Sequence, residues 1–429
     1  MEYYQDCASF SCTKWMESAS NGCKSAFLNS DLQEDVYMTQ PPGFEVPGKE
    51  NQVCKLVKAL YGLKQAPRAW YAKMDAYLQK VGFLRSESDD TLYVRIQENN
   101  LVILVMYVDD LLITGNNNDH IFQVKKELQT GFEMTDLGLL HYYLGVEVKQ
   151  QEGSIFISQA KYISGLLKKF GMEECKPAIT PMEQNLKLSK FEGGEFVNCT
   201  GYRQLIGCFI YLMNTRPDLS YAVSILSRYM QEPRESHWNA AKRVLRYLQG
   251  TKDFGLEFKR NKNFKLVGYS DADFARDVDD RASTSGYLMN MGSAAVAWSC
   301  KKQDTIANST AEAEYISAWE AACEIVWLRR ILQDLKVDQK EATSLFIDNQ
   351  SAIKLAKNPV FHSKTKHVDT KYHYIRALVV KQIIKPKYCP SEDQTADIFT
   401  KSLGRVKFDK FRNELGICSK EFLDQRGDC

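Results

Sequence analysis

The sequence has no Cys-x-x-Cys pair, no apolar run of membrane-spanning length and almost no net charge. Its twelve cysteines are scattered along the chain, which argues against a zinc ribbon or a disulfide framework. No apolar run approaches the ~20 residues that a spanning helix needs, and residues 1–20 lack the apolar core of a secretory signal. We therefore expect an intracellular protein, cytoplasmic or nuclear and not secreted, with no membrane partner.

The charge balance also restricts the class of partner. A net charge of +2 is too small to attract a polyanion to the whole surface, so any nucleic-acid interface has to be a local patch. The chain has 429 residues, of which 44% are apolar and 26% are charged, as in ordinary globular proteins. This length predicts roughly two to four domains with real cores.

Two adjacent aspartates lie between two apolar runs. The runs, residues 101–108 and 111–114, are predicted to pair as a β-hairpin with Asp109 and Asp110 at its tip. Neighbouring carboxylates raise each other's pKa unless a cation neutralises them, so the pair is a candidate ligand set for a divalent metal. An ordinary Asp-Asp turn is the alternative that this feature alone leaves open.

Helical and strand patterns divide the rest of the chain. Residues 1–20 carry no clear periodicity and are expected to be a poorly ordered start. Apolar spacing and end signals predict helices over residues 67–79, 159–169, 202–213 and 237–250. After residue 264 the pattern changes to strands and helices, with strands over 264–274, 284–291, 294–301, 343–347 and 384–389 and helices over 310–335 and 396–403.

Four acids lie at the ends of elements in this last part, where folding can bring them together. Asp271 is on the first strand, Glu314 opens the long helix, Asp348 follows the fourth strand and Asp397 opens the closing helix. Oxygen ligands of this kind can hold two magnesium ions, which activate water and stabilise the leaving oxygen of a phosphodiester. Each of Glu314 and Asp397 alone is equally well explained as a helix-start acid.

Longer stretches of the chain resemble a known family. The sequence is similar to the Pol polyprotein of copia-type LTR retrotransposons from about residue 23 to 418, in family order. The stretches that carry the resemblance are YVDD (107–110), KSAFLNSDLQEDVYMTQPPGF (24–44), KALYGLKQAPRAWY (58–71), GYSDADF (268–274), RASTSGY (281–287), STAEAEY (309–315), DNQSAIKLAKNPVFHSKTKH (348–367) and EDQTADIFTKSL (392–403).

The resemblance implies a fold class that is α+β and α/β. It implies a truncated reverse transcriptase palm (23–150, fingers largely missing) and a helical thumb and connection (151–260). A ribonuclease H-like mixed-sheet domain (261–404) follows, with an unmatched start (1–22) and a C-terminal tail (405–429).

The family's functional residues map onto matching positions of this chain. Asp109 and Asp110 match the polymerase metal ligands, and Gln65 and Arg68 fall in the segment near template and incoming nucleotide. The four acids of the last part match the ribonuclease H ligands of a two-Mg²⁺ site, and Glu312 is not one of them. The implied partners are an RNA·DNA hybrid or an RNA template with a DNA primer, and other retrotransposon proteins.

One departure from the family pattern concerns the polymerase chemistry. Where the family has an aspartate, followed by Val-Lys-Ser-Ala-Phe, this chain has Gly22. A glycine supplies no ligand, so the metals would be held by a depleted set. We therefore expect impaired RNA-directed DNA polymerisation and a surviving Mg²⁺-dependent cleavage of RNA in RNA·DNA hybrids. The alternative is an inactive transposon remnant that at most binds nucleic acid.

A basic stretch follows the third of the four nuclease acids. From Lys354 to Lys387 there are nine Lys or Arg and one acid, Asp369. Such a stretch can grip phosphates, while an RNA strand is identified through its 2′-hydroxyls and A-like groove. A solvated helix face is the alternative, and a zinc site of His362, His367 and His373 is disfavoured because paired cysteines are missing. The predicted nucleic-acid contacts here are Lys364, Lys366, Lys371 and Arg376.

Overall fold

A computed structural model describes residues 17–191, 193–260, 264–357 and 366–420 of the chain. It divides into two compact units. The first unit is Met16–Leu140, and the second unit includes His141–Cys429. The predicted boundary at residue 150 therefore falls inside the second unit, within a strand that spans Val146–Gln151.

The first unit is built on a six-stranded sheet. Its strands are β1 (Glu17–Cys23), β4 (Leu84–Arg85), β5 (Leu92–Gln97), β6 (Asn100–Tyr107), β7 (Asp110–Gly115) and β8 (Met134–Leu139), in the order β4-β5-β6-β7-β1-β8. Two short strands, β2 (Tyr37–Thr39) and β3 (Val53–Lys55), form a separate antiparallel pair. The remaining elements are a 3₁₀ turn, Ala26–Asn29, and the helices Ala66–Lys80 and Asn118–Gly131.

The helix Ala66–Lys80 closely follows its prediction over residues 67–79. It begins with a proline at its N-terminus, where the missing N–H has no helical partner to lose. Trp70, Met74 and Leu78 recur every four residues and are buried in the core of the first unit. The helix therefore covers one face of the sheet with a single apolar stripe.

Strand β1 was not predicted. It lies between β7 and β8, with which it pairs antiparallel, although its sequence, ESASNGC, shows neither alternation nor β-branched residues. Residues 17–20, which were predicted to belong to a poorly ordered start, therefore lie in this strand, and residues 1–16 lie outside the described residues. The predicted domain boundary at residue 22 falls inside β1. Pairing on both edges, which sequence periodicity cannot show, holds it in the sheet.

Asn21 on β1 is a polar residue buried without partners. Its side chain is fully buried, and neither its amide oxygen nor its nitrogen makes a hydrogen bond. An unsatisfied buried amide costs about 1–3 kcal/mol, so we expect Asn21→Val to stabilise the first unit by that amount. Slower amide hydrogen exchange in β1 and β7 of the intact chain would show this. The control is Asn99→Val, because Asn99 is an exposed turn residue and its replacement should not stabilise the first unit. Faster amide exchange in Asn21→Val than in wild type would contradict the prediction.

The second unit contains a five-stranded antiparallel sheet made from distant parts of the chain. Its strands are β9 (Tyr142–Tyr143), β10 (Val146–Gln151), β11 (Ser154–Ser158), β12 (Phe254–Lys259) and β18 (Ile417–Ser419), in the order β18-β12-β11-β10-β9. The helices between β11 and β12 are Ala160–Lys169, Cys199–Leu212, Ser220–Ser227 and Glu235–Gln249, with a 3₁₀ turn at Pro217–Leu219. This sheet thus joins segments that the predicted boundaries assigned to the palm, the connection and the tail.

The other sheet of the second unit is mixed. Its strands are β13 (Leu266–Asp273), β14 (Thr284–Met291), β15 (Ala294–Lys302), β16 (Thr343–Ile347) and β17 (Ile384–Tyr388), in the order β15-β14-β13-β16-β17. The first three pair antiparallel, and β13, β16 and β17 pair parallel. The helices are Thr310–Asp334, Gln350–Lys357, Lys366–Val380 and Arg405–Glu414. This confirms the mixed-sheet fold expected for the last part of the chain.

The predicted closing helix over residues 396–403 is wrong. A 3₁₀ turn, Thr395–Phe399, occupies this place, and a separate helix begins at Arg405. The Gln394 side chain accepts a hydrogen bond from the Ala396 N–H and so caps the turn.

The helix Thr310–Asp334 is capped by the Ser309 hydroxyl, which accepts from the Glu312 N–H. Among the described residues, no helix combines the length and apolar character needed to cross a bilayer.

Candidate active sites

The first two predicted acids lie at the tip of a hairpin, as expected. Tyr107 of β6 pairs with Asp110 of β7, which leaves Val108 and Asp109 as the two turn residues. Val108 has a φ of 54°, a conformation that is strained for a β-branched residue. The Trp70 indole N–H donates to the Val108 carbonyl at 2.5 Å and so holds this strained turn. Both acids are half-buried.

Gly22 lies directly across the sheet from this turn. It pairs with Asp110, and the adjacent Cys23 N–H donates to the Asp109 carbonyl at 2.8 Å. A Cβ built on Gly22 would meet only Leu137 Cδ1 within 4 Å, at 3.8 Å. A side chain could therefore begin at position 22 without a steric conflict at its Cβ, on the residue that pairs with Asp110.

Burial and mutual repulsion shape the electrostatics of the turn. Burial, followed by the charge of Asp109, raises the pKa of Asp110 above its ordinary value. Burial raises the pKa of the neighbouring Cys23 thiol to about 11, with smaller contributions from the charges of Asp109 and Glu133. The thiol therefore stays protonated at neutral pH and is not a thiolate ligand.

The helix Ala66–Lys80 carries the two predicted template contacts of this unit. Gln65 is the residue before its first turn and is half-buried, while Arg68 is exposed. Trp70 of the same helix contacts the aspartate turn, so the start of the helix and the turn belong to one packed region. Binding of nucleic acid by Gln65 and Arg68 stays a prediction.

Three of the four predicted nuclease acids converge in the second unit. Asp271 on β13 and Asp348 just after β16 lie at the same end of two parallel neighbouring strands, because Ser270 pairs with Ile347. Glu314 reaches them from the first turns of the helix Thr310–Asp334. One carboxylate oxygen from each of the three acids lies within 4.8 Å of the others. Among the described residues, these three acids are the one group of three or more potential metal ligands with so close a spacing.

Hydrogen bonds from neighbouring hydroxyls orient these acids. The Ser317 hydroxyl donates to the Asp271 carbonyl at 2.7 Å and joins the helix to β13. The Thr400 hydroxyl donates to Asp271 Oδ2, and the Ser391 hydroxyl donates to Asp348 Oδ2 at 3.0 Å. These contacts limit side-chain rotation, which a preorganised metal site requires.

The fourth predicted acid, Asp397, is adjacent but engaged by lysines. It is buried in the 3₁₀ turn, and its Oδ1 accepts from Lys401 Nζ at 2.6 Å. Lys401 Nζ also contacts the Asp271 carboxylate at 3.2 Å, and Lys407 Nζ contacts Asp397 Oδ2 at 2.5 Å. Asp397 therefore reaches Asp271 through an ammonium group. The sequence contains Lys401 one helical turn after Asp397, but no pattern distinguished it from a surface lysine.

Burial is the largest cause of the raised pKa values of two of the convergent acids, Asp271 and Glu314. Burial raises the pKa of Asp271 to about 7, partly offset by the positive charge of Lys401. Burial also raises the pKa of Glu314 well above its ordinary value, and the charges of Asp271 and Asp348 add to this. Glu314 Oε2 makes no hydrogen bond. Clustered carboxylates with an unpartnered oxygen fit a hard divalent cation, which supplies the missing positive charge.

Asp273 is a further acid on β13 that the sequence pattern did not single out. It lies two residues after Asp271, so it projects to the same face of the strand. Burial raises its pKa to about 6, and Arg276, whose Nε lies 3.7 Å from its carboxylate, opposes this shift. The arginine makes Asp273 a structural ion-pair partner beside the acid cluster.

Most of the predicted basic contacts lie outside the described residues. Lys364 lies outside the described residues, and so do the side chains of Lys366 and Lys371 on the helix Lys366–Val380. Arg376 is half-buried, and its Nε donates to the Leu355 carbonyl at 3.1 Å, which links two helices. Of the three histidines, His362 and the His367 side chain lie outside the described residues, and His373 is exposed.

Comparisons with known proteins find a matching family model and several relatives. The family model described as reverse transcriptase (RNA-dependent DNA polymerase) matches residues 13–184, including residues 13–22, which were expected to be unmatched. The Retrovirus-related Pol polyprotein from transposon TNT 1-94 of Nicotiana tabacum is 43% identical over 92% of this chain and 30% of its own length. A Putative transposon Ty5-1 protein of Saccharomyces cerevisiae is 36% identical over 70% of this chain and 98% of its own length.

The fold also matches a solved structure. The foamy viral protease-reverse transcriptase in complex with an RNA/DNA hybrid aligns with a TM-score of 0.51 and 11% identity, over 87% of this chain and 44% of that chain. The chain spans only about 30% of the length of the first plant Pol polyproteins that it matches. On these grounds the chain belongs to the Pol family of copia-type retrotransposons, of which it contains a reverse transcriptase region and a ribonuclease H-like domain.

Proposed function

We propose that this chain cleaves the RNA strand of RNA·DNA hybrids with Mg²⁺ and that its polymerase activity is impaired. The observation that carries the proposal is the convergence of Asp271, Glu314 and Asp348, whose carboxylate oxygens lie within 4.8 Å of one another. In the first unit, Gly22 occupies the position opposite Asp110 and supplies no carboxylate to the hairpin acids.

In this proposal the three convergent acids, together with Asp397, are the ligands of a two-Mg²⁺ site. Mg²⁺ held by these residues would supply activation of a water and stabilisation of the leaving oxygen of the phosphodiester. Thr400 and Ser391 hold the Asp271 and Asp348 carboxylates in place by hydrogen bonds. Ser317 fixes β13 against the helix that carries Glu314, so the acids need little rearrangement to bind cations.

The proposed substrate follows from chemistry and from the relatives. The solved relative was obtained with an RNA/DNA hybrid. We propose that the lysine-rich stretch after Asp348 attracts the backbone of such a hybrid and that contacts to 2′-hydroxyls identify its RNA strand. We place the activity inside the cell, because no disulfide joins the described cysteines.

Hybrid cleavage by the purified full chain tests the proposal. With Mg²⁺, we expect cleavage of the RNA strand that EDTA abolishes and that Asp348→Asn reduces by about a thousandfold or more. The matched control is Asp338→Asn, because Asp338 is an exposed acid in the loop before β16 and should leave cleavage unchanged. Equal cleavage by wild type and Asp348→Asn would overturn the proposal, since the activity would then come from elsewhere.

A second candidate function is an inactive remnant that binds nucleic acid. On β1, Gly22 supplies no ligand to the hairpin acids, and the adjacent Asn21 destabilises the first unit through its unsatisfied buried amide. Hybrid binding without cleavage, at saturating Mg²⁺ and in a folded chain, would favour this candidate over the nuclease.

A further inference from the structure

Lys401 lies between two acids that the proposed nuclease needs for metal binding. Its Nζ contacts the Asp271 carboxylate at 3.2 Å and Asp397 Oδ1 at 2.6 Å. Asp271 is fully buried and the Asp397 side chain is 2% exposed, whereas the Lys401 side chain is 30% exposed. The ammonium group is therefore the counter-charge of two buried carboxylates, on a side chain that still reaches solvent.

A divalent cation shared by Asp271 and Asp397 would have to occupy the position of this ammonium group. A divalent ion bridging Asp271 and Asp397 would need the same oxygen atoms that Lys401 contacts. Two cations cannot be held by one pair of carboxylate oxygens at contact distance without strong repulsion. By contrast, one carboxylate oxygen from each of Asp271, Glu314 and Asp348 lies within 4.8 Å of the others, and of these three acids Lys401 makes an ion pair with Asp271.

We propose that Lys401 is a built-in competitor of the second divalent cation, which can bind only when the lysine withdraws. This inference rests on the proposed nuclease function and deepens it. The first cation uses the three convergent acids, and the second uses Asp271 and Asp397 in exchange for the ammonium group. Full metal loading is thereby coupled to a movement of one side chain.

Lys407 has a different role in this arrangement. It contacts the other oxygen of Asp397, at 2.5 Å, and it donates to the Ser391 carbonyl at 2.8 Å. It therefore keeps the Asp397 carboxylate in place when Lys401 leaves. Withdrawal of Lys401 does not leave Asp397 without a counter-charge, which lowers the cost of the exchange.

Binding of Mn²⁺ alone to the full chain tests the inference. Free Mn²⁺ is measured by electron paramagnetic resonance at about pH 8, where competition from protons is small. We expect wild type to bind one Mn²⁺ well and a second weakly, and Lys401→Met to bind the second about tenfold more tightly or better, because a repelling charge is gone. The control is Lys410→Met, since Lys410 pairs with the exposed Asp393 and should leave both affinities unchanged.

A second measurement uses the wild-type chain and does not depend on the folding of a variant. Acetylation of Lys401 by acetic anhydride, followed by mass spectrometry, should rise several-fold when saturating Mn²⁺ displaces the ammonium group, while Lys407 should change little. Unchanged acetylation of Lys401, or equal Mn²⁺ affinities of wild type and Lys401→Met, would overturn the inference. If wild type still cleaves hybrids in that case, the nuclease proposal stands. If neither wild type nor variant binds Mn²⁺, both fail.

Discussion

Glu314→Gln should abolish hybrid cleavage and at the same time make the metal-free protein more stable. The wild-type carboxylate is 6% exposed, lies beside two other acids and has an oxygen without a hydrogen-bond partner. Glutamine keeps the shape and removes the charge, so the repulsion and the desolvation cost disappear. With the metal ligand lost, cleavage should fall by about a thousandfold or more. In EDTA at pH 8, Tm should rise by about 2–4 °C for each kcal/mol gained, the shift expected for a unit of this size.

The stability difference should depend on pH in a defined direction. Glu314 has a folded-state pKa well above its unfolded value of 4.5, so the folded state binds a proton more tightly than the unfolded state. Stability from this group is present at acid pH and is lost as pH rises through the folded-state pKa. Asp271, whose pKa is raised from 3.8 to about 7, also stabilises the folded state at acid pH, and this stabilisation is lost as the pH rises towards 7. The advantage of Glu314→Gln in EDTA should therefore grow from pH 5 to pH 8.

Thermal unfolding with and without Mg²⁺ measures this effect. Mg²⁺ should raise the Tm of wild type and leave that of Glu314→Gln nearly unchanged, because a cation stabilises only the state that binds it. Glu312→Gln is the matched control, since Glu312 lies on the same helix, is partly exposed and serves to accept from Asn308. If metal-free Glu314→Gln is less stable than wild type at pH 8, the prediction is wrong. The Glu314 carboxylate would then be stabilised by contacts other than those described above.

Gly22→Asp is expected to raise RNA-templated primer extension by about a thousandfold over wild type. The new carboxylate would project from β1 beside Asp110, its partner across the sheet, and would complete a three-acid ligand set with Asp109. There is room for it, because the nearest atom to a Cβ at this position is Leu137 Cδ1 at 3.8 Å. Steady-state incorporation of a single nucleotide by the full chain is the measurement.

Gly22→Asn separates the effect of charge from that of bulk. Asparagine has nearly the shape of aspartate but is a poor Mg²⁺ ligand, so it should restore little or no extension. Without metal, Gly22→Asp should also lower stability, because three like charges then share a partly buried turn. If Gly22→Asp folds and extension stays at the wild-type level, the loss of polymerase activity has a cause other than the missing ligand.

Local patterns predicted the elements with the strongest apolar periodicity well. The strands over 284–291 and 343–347 have the predicted bounds, and the hairpin places Asp109 in its turn as expected. These elements have strong apolar alternation and clear turn residues, which act over a few neighbouring positions. Strand β1 and the short turn around Asp397 were missed because their conformation depends on hydrogen bonds to residues distant in sequence.

For the acid cluster, too, the sequence determined some features and the tertiary structure determined others. The sequence alone determined which residue types are present, including the four nuclease acids and the glycine at position 22, and it determined the family through long matching stretches. Only the tertiary structure decided that Asp271, Glu314 and Asp348 share a site while Asp397 is held by Lys401 and Lys407. The physical reason is that Coulomb and desolvation energies depend on distance and burial in space, which are set by strand pairing and packing and not by separation along the chain.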